Sequence, residues 1–186
     1  IFFSPFLREG ELSIHRIARS WAKLVLALVG VDTLIRGSFN VYLDRPQIIT
    51  RSDGNELVLA QFDRWAEPLS DTFPRVLAQN LSRLLCTRTV SLYPWKPSVT
   101  HDYRVEVEVI RMDGTPGEEV RLEAWWSLSG GPGKKVLAAR QSRFTEPAQG
   151  RNYEAFVQAH NRVIASLCRD IGQAISTLAR EDPPQK

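Results

Sequence analysis

The chain is poor in the residues from which reactive centres are most often built. Its 186 residues include only two cysteines, three histidines and one methionine. Cys86 and Cys168 cannot make a disulfide scaffold, and without a C-x-x-C pair or ligand-spaced Cys/His set there is no basis for structural zinc. Each cysteine follows a leucine in an amphipathic run, the usual place of a buried or half-buried thiol. His15, His101 and His160 fall in an unassigned segment, a loop and the apolar stripe of a helix, and none has a partner at ligand spacing. His160 therefore reads as a satisfied core or interface histidine, and no metal or cofactor is expected.

Long apolar runs are also missing, since no window reaches the ~18 residues of a membrane span. The nearest, LVLALVGV at residues 24–31, follows Arg16, Arg19 and Lys23 as the core of a secretory signal would. Neither a small-residue cleavage site nor a lipid-accepting cysteine comes after it, so residues 23–33 read as a buried first strand. Lysine is scarce too: 5 against 19 arginines in a net charge of +3. The arginines are scattered and no aromatic-basic recognition word accompanies them, which leaves a nucleic-acid-binding module as the weaker alternative.

Catalytic words fail in the same way. SGGPGKK (residues 129–135) imitates a phosphate loop, but Leu128 stands where its first glycine belongs and Lys135 where Ser or Thr must follow the lysine. There is no G-x-G-x-x-G or G-x-S-x-G, and Glu106 and Glu108 alternate on a strand as solvating residues do. Nothing points to an enzyme.

What the chain does have is a dense segment at residues 42–69, YLDRPQIITRSDGNELVLAQFDRWAEPL. Two branched apolar runs, residues 47–51 and 56–62, flank the turn-forming Ser52, Asp53, Gly54 and Asn55, which predicts a β-hairpin feeding a helix. Pro46 suits a strand start and Pro68 the first helical position, because neither has an N–H to give. Around Trp65 the charges of Asp44, Arg45, Arg51, Asp63, Arg64 and Glu67 alternate in sign. Arg45, Asp63 and Glu67 are expected to neutralise one another there.

The words LDRPQIITR and FDRWAEPL resemble those of the ABC-type transport auxiliary lipoproteins, the paraquat-inducible protein C group. The likeness continues through RVLAQNLSRLL (residues 75–85), YPW (residues 93–95), an alternating strand near residues 105–109 and a closing helix from Tyr153. It maps candidate interface positions onto Tyr42, Leu43, Asp44, Arg45, Pro46, Gln47, Arg51, Phe62, Asp63, Arg64, Trp65, Glu67, Pro68, Tyr93, Pro94 and Trp95. The resemblance implies a non-enzymatic accessory lipoprotein of an intermembrane lipid transport system. Its partners would be a mammalian-cell-entry (MCE) domain protein forming the conduit, other copies of itself in a ring-like homo-oligomer, and the outer membrane. Such a protein faces the periplasm of a Gram-negative cell, and its lipid anchor is not contained in this sequence.

Along the chain, residues 1–22 have no clean period, residues 23–180 form the family domain and residues 181–186 read as a disordered tail. Residues 34–40 read as a loop turning at Gly37 and Ser38. A helix within residues 69–86 carries Phe73, Leu77, Leu81 and Leu84 on one face; Pro74 requires it to start near Phe73 or to kink. Residues 89–93 form a short strand, and Tyr103, Val105, Val107 and Val109 alternate with charged residues on another. A turn at Asp113-Gly114 is expected before a strand with Leu122, Ala124, Trp126 and Leu128 inward. Trp125 then faces out beside Glu123, with Gln141 and Arg143 near it on the last strand (residues 136–145), a mixed patch of the kind interfaces favour. Asn152 caps the final helix. The fold class is α/β: one domain with a mixed β-sheet, hairpin and antiparallel meander packed by two long helices in the order β-ββ-α-ββββ-α.

Overall fold

A computed structural model describes residues 33–40, 43, 45, 47–51, 56–65, 67–87, 90–94, 101–130 and 135–181. The elements run β1 (Thr33–Phe39), β2 (Gln47–Arg51), β3 (Leu57–Arg64), α1 (Leu69–Leu84), β4 (Val90–Leu92), β5 (Tyr103–Gly114), β6 (Glu119–Gly130), β7 (Lys135–Pro147) and α2 (Tyr153–Glu181). Five strands form a mixed sheet in the order β4-β1-β5-β6-β7, with β1 parallel to both neighbours and β5, β6 and β7 antiparallel. The expected element order and mixed α/β architecture are therefore present. The hairpin β2–β3 makes a separate two-stranded antiparallel sheet instead of joining the large one.

Period-two patterning builds the sheet. Val105, Val107 and Val109 on β5 and Leu122, Ala124, Trp126 and Leu128 on β6 are all buried, while Glu108 and Trp125 between them are exposed. One face thus goes to the helices and the other to solvent. On α2, Phe156, Ala159, Val163, Leu167, Ile171 and Ile175 recur at three- and four-residue steps and are fully buried against that face. Each large side chain so placed contributes roughly 1.5–3 kcal/mol. Asn152 caps this helix as expected, its side-chain carbonyl accepting from the Ala155 N–H at 2.9 Å.

Three local expectations are corrected. Residues 34–40 do not form a loop: β1 runs through Thr33–Phe39, paired in register with β5 from Thr33↔Tyr103 to Phe39↔Val109. Residues 23–32, expected to carry that first strand, lie outside the described residues. Gly37, which suggested a turn, instead allows close approach of α1, because a Cβ there would sit 2.9 Å from Cγ of Pro74. Of the two readings that Pro74 leaves open for α1, a start near Phe73 is overturned, and Pro68 is displaced from the first helical position. The helix begins at Leu69 with Pro74 inside, and Pro68 is its N-cap. The carbonyl of Pro68 accepts the first bonds, from Asp71 and Thr72 at 3.1 Å each.

The third correction concerns Asp113-Gly114, which ends β5 within the sheet; the reversal follows at residues 115–118, where Gly117 adopts φ +87°. A bulge between Val109 and Arg111 precedes it. The bulge switches the parity of β5, so the buried inward residue becomes Met112, opposite Leu122. Arg111 and Asp113 are thereby re-aimed off the helix-covered face.

Candidate interaction surface

The re-aimed Asp113 is where the hairpin meets the sheet. Its carboxylate is fully buried and accepts from Arg51 twice, Nε to Oδ1 at 3.1 Å and Nη2 to Oδ2 at 2.8 Å, and from Arg111 Nε at 2.8 Å. Such two-point guanidinium binding fixes orientation as well as charge. The Thr115 hydroxyl also donates to the Arg51 carbonyl at 2.9 Å. Burial pushes the Asp113 carboxyl upward, but the bonds and charges of Arg51 and Arg111 outweigh it and hold the group below its usual range. Asp113 therefore stays ionised, and Arg51, the last residue of LDRPQIITR, clasps β2 to the end of β5.

An aromatic contact adds a second attachment. Trp65, just past β3, is half-buried against the core, with its ring centroid 5.5 Å from that of His160 in an edge arrangement. His160 in turn meets Phe156 edge-on at 4.6 Å. Its Nδ1 lies 2.9 Å from the Phe156 carbonyl; that oxygen can only accept, so Nδ1 carries the proton. Burial lowers the His160 pKa to about 4, partly opposed by the Phe156 carbonyl and the Asp113 charge, so the ring is neutral at pH 7. The satisfied core histidine expected from sequence is what this geometry describes.

The remaining motif residues divide by role. Leu43 is buried in the main core, whereas Arg45 is exposed and Gln47 half-buried at the start of β2. Arg64 is exposed at the end of β3, where it pairs in register with Gln47. Glu67 does not pair with Arg45: it accepts from Arg75 and Thr72 of α1, and the Arg75 bond draws its pKa down. The helix supplies the partner because Arg75 sits nearly two turns into α1, and its long side chain reaches back to the residue before the N-cap. Tyr93 is exposed with the Arg36 guanidinium 5.0 Å from its ring centroid, and Pro94 beside it is exposed. Tyr42, Asp44, Pro46 and Trp95 lie outside the described residues, as do the side chains of Phe62 and Asp63.

Trp125 stands apart from all of these. Its ring is 49% exposed on the helix-free face, while Trp126 turns the other way, buries and donates from Nε1 to Ser142 Oγ at 2.9 Å. Ser142 passes the chain on to Asp170 of α2 at 2.5 Å. Trp125 pairs across strands with Glu108 and Gln141, and Glu123 accepts from Arg143 at 3.0 Å and from Gln141. A shallow groove of about 360 Å³ lies here, lined by Arg36, Ser38, Glu106, Glu108, Trp125 and Ser127.

Sequence reading missed Asp113 and Arg111 because Asp-Gly imitates a turn and a bulge leaves no sequence signature. Burial pushes the Cys168 thiol up to about 12, against a side-chain bond with Asn80, so it stays protonated; Cys86 is half-buried and free. Among the described residues no three His, Cys, Asp or Glu side chains are grouped to hold a metal, and no helix is long and apolar enough to cross a membrane.

No curated protein sequence matches the chain. A solved structure described as an uncharacterized protein matches with a TM-score of 0.68 and 20% identity, covering 77% of this chain and 92% of its own. A protein of Xanthomonas campestris matches with a TM-score of 0.66 and 18% identity, covering 81% and 88%. At these identities the likeness establishes the fold. The profile of one sequence family, described as ABC-type transport auxiliary lipoprotein component, matches residues 38–172, from within β1 to Gly172 of α2. That span contains the hairpin, the Arg51–Asp113 clasp and nearly the whole sheet, and the chain belongs to the family of ABC-type transport auxiliary lipoprotein components.

Proposed function

We propose that this chain is a non-enzymatic accessory lipoprotein of an MCE-type intermembrane lipid transport system. It docks the periplasmic conduit at the outer membrane, where it is held by a lipid anchor and assembles with copies of itself into a ring. Membership of an auxiliary transport family is the observation that carries this reading. Two features of the site accord with it. The buried titratable groups Asp113, His160 and Cys168 are each committed to packing or to an internal ion pair. The helix-free face meanwhile presents a large ring, Trp125, beside the Glu106 and Glu108 carboxylates of β5, as a protein-contact surface does.

The conduit protein is the partner to test. Purified chain is to be mixed with a purified MCE-domain protein from the same envelope and the pair followed by co-elution and interferometry. The reading predicts a stable complex weakened by changes at exposed Arg45 or Tyr93. Absence of binding at any concentration, with both proteins folded, would contradict it.

A further inference from the structure

We infer that the groove beside Trp125 receives the exposed corner at the end of α1, Arg83 with Leu84, from a second copy of this chain. This deepens the self-association reading above and rests on it. The groove has an indole wall at Trp125 and two carboxylates, Glu106 and Glu108; neither has an ion pair among the described residues. Arg36 is directly across from Glu106 in the β1–β5 register, but its guanidinium is drawn over the Tyr93 ring. An indole beside unneutralised carboxylates is a site for a cation that also carries apolar surface: the charge faces the carboxylates while the flat guanidinium stacks on the ring.

The chain itself offers such a group on its opposite side. Arg83 is exposed in the last turn of α1 and its guanidinium has no carboxylate partner among the described residues. Leu84 next to it is 40% exposed and packs with its Cβ and Cδ1 beside Gly172 of α2. Among the described residues Arg45, Arg64, Arg151, Arg169 and Arg180 are also exposed without an ion pair, but none adjoins an exposed large hydrophobic residue, and Lys135, which adjoins Val136 and Leu137, carries a compact ammonium instead of a flat guanidinium. Arg83–Leu84 thus matches the groove in both respects, charge to Glu106 and Glu108 and apolar surface to Trp125. The α1 corner lies on the helix side and the groove on the helix-free side of the same sheet, so one copy cannot satisfy both. The contact is heterologous, the kind that repeats head to tail and closes into a ring when the rotation permits.

Charge reversal with rescue tests the pairing. The mass of the full chain by light scattering over a concentration series is compared for wild type, Arg83→Glu, Glu108→Arg and the double reversal, with melting temperature as a folding control. Each single reversal is expected to weaken self-association roughly tenfold or more, and the double reversal to restore most of it. A wild-type oligomer unaffected by either single reversal would overturn this surface while leaving self-association standing. Dissociation by both singles without rescue would overturn the direct pairing. A wild type monomeric at every concentration would overturn the self-association reading together with this one.

Discussion

In the five-stranded sheet Val105, Val107 and Val109 meet Leu122, Ala124 and Trp126 over a fully buried face of α2, whereas the β2–β3 hairpin leaves Leu57, Val58 and Leu59 about 40% exposed. Apart from Ile48, which enters the main core, the hairpin is fixed by a few specific links: the Arg51–Asp113 clasp, the Thr115 bond to the Arg51 carbonyl and the Trp65–His160 contact just beyond β3. A body held by burial loses stability in proportion to apolar area, with little regard to which atoms supply it. A segment held by directed polar bonds depends on particular residues.

The comparison can be broken first on its apolar side. Phe156→Ala removes a fully buried ring from the centre of the body and is expected to cost about 4 kcal/mol in global unfolding measured by denaturant titration. A loss below about 1 kcal/mol would mean that the helix–sheet seam is not the main store of stability.

Acid tests the boundary between the two regions. His160 has a folded pKa of about 4 against an ordinary 6.5, so the unfolded chain binds the extra proton between those values. Its contribution is complete above pH 6.5 and falls as pH drops toward 4, by on the order of 3 kcal/mol. The Asp113 carboxyl, held below its ordinary 3.8, adds a further loss only when pH falls below that value. Stability measured from pH 7 to 3 should therefore decline in the upper window first. A His160→Phe variant, which keeps a ring between Trp65 and Phe156, should lose that first decline.

Trp65→Ala is expected to cost about 2 kcal/mol, less than a fully buried aromatic because the ring is only half-covered. Hydrogen exchange should accelerate more in β2 and β3 than in β5 and β6. Equal acceleration in both sheets would mean that Trp65 anchors the large sheet as much as the hairpin. The smallest expected effect lies at the end of α1, where Cys86 holds φ 52° after the C-cap Leu85, and the Thr87 N–H reaches back to the Ser82 carbonyl at 3.2 Å. Glycine is the residue best suited to that left-handed position. Cys86→Gly should raise stability by about 1 kcal/mol.

The body was legible in the sequence because its signals are local. Alternation in Tyr103 to Val109, the inward set Leu122, Ala124, Trp126 and Leu128, the Asn152 cap and the long stripe of α2 each follow from one element alone. The opposite orientations of Trp125 and Trp126 could be read from pleat geometry in the same way. What escaped depends on two distant segments at once. Gly37 is paired with Val107 of β5 where Pro74 of α1 leaves no room for a Cβ, and Asp113 is paired with Arg121 after a bulge that turns it toward Arg51. Glu67 had several nearby arginines to choose from, and only the direction of α1 selects Arg75.

Arg51 of the family motif holds the hairpin to the sheet through Asp113. A double-mutant cycle with Arg51→Gln and Asp113→Asn, keeping Arg111 throughout and measuring unfolding free energies, tests it most directly. Because Asp113 is fully buried and doubly bonded to a largely covered Arg51, each single change should be strongly destabilising, and the two together should cost less than their sum by about 2 kcal/mol. Effects that add to within about 0.5 kcal/mol would contradict the clasp and leave the hairpin's attachment to Ile48, the Thr115 bond and Trp65.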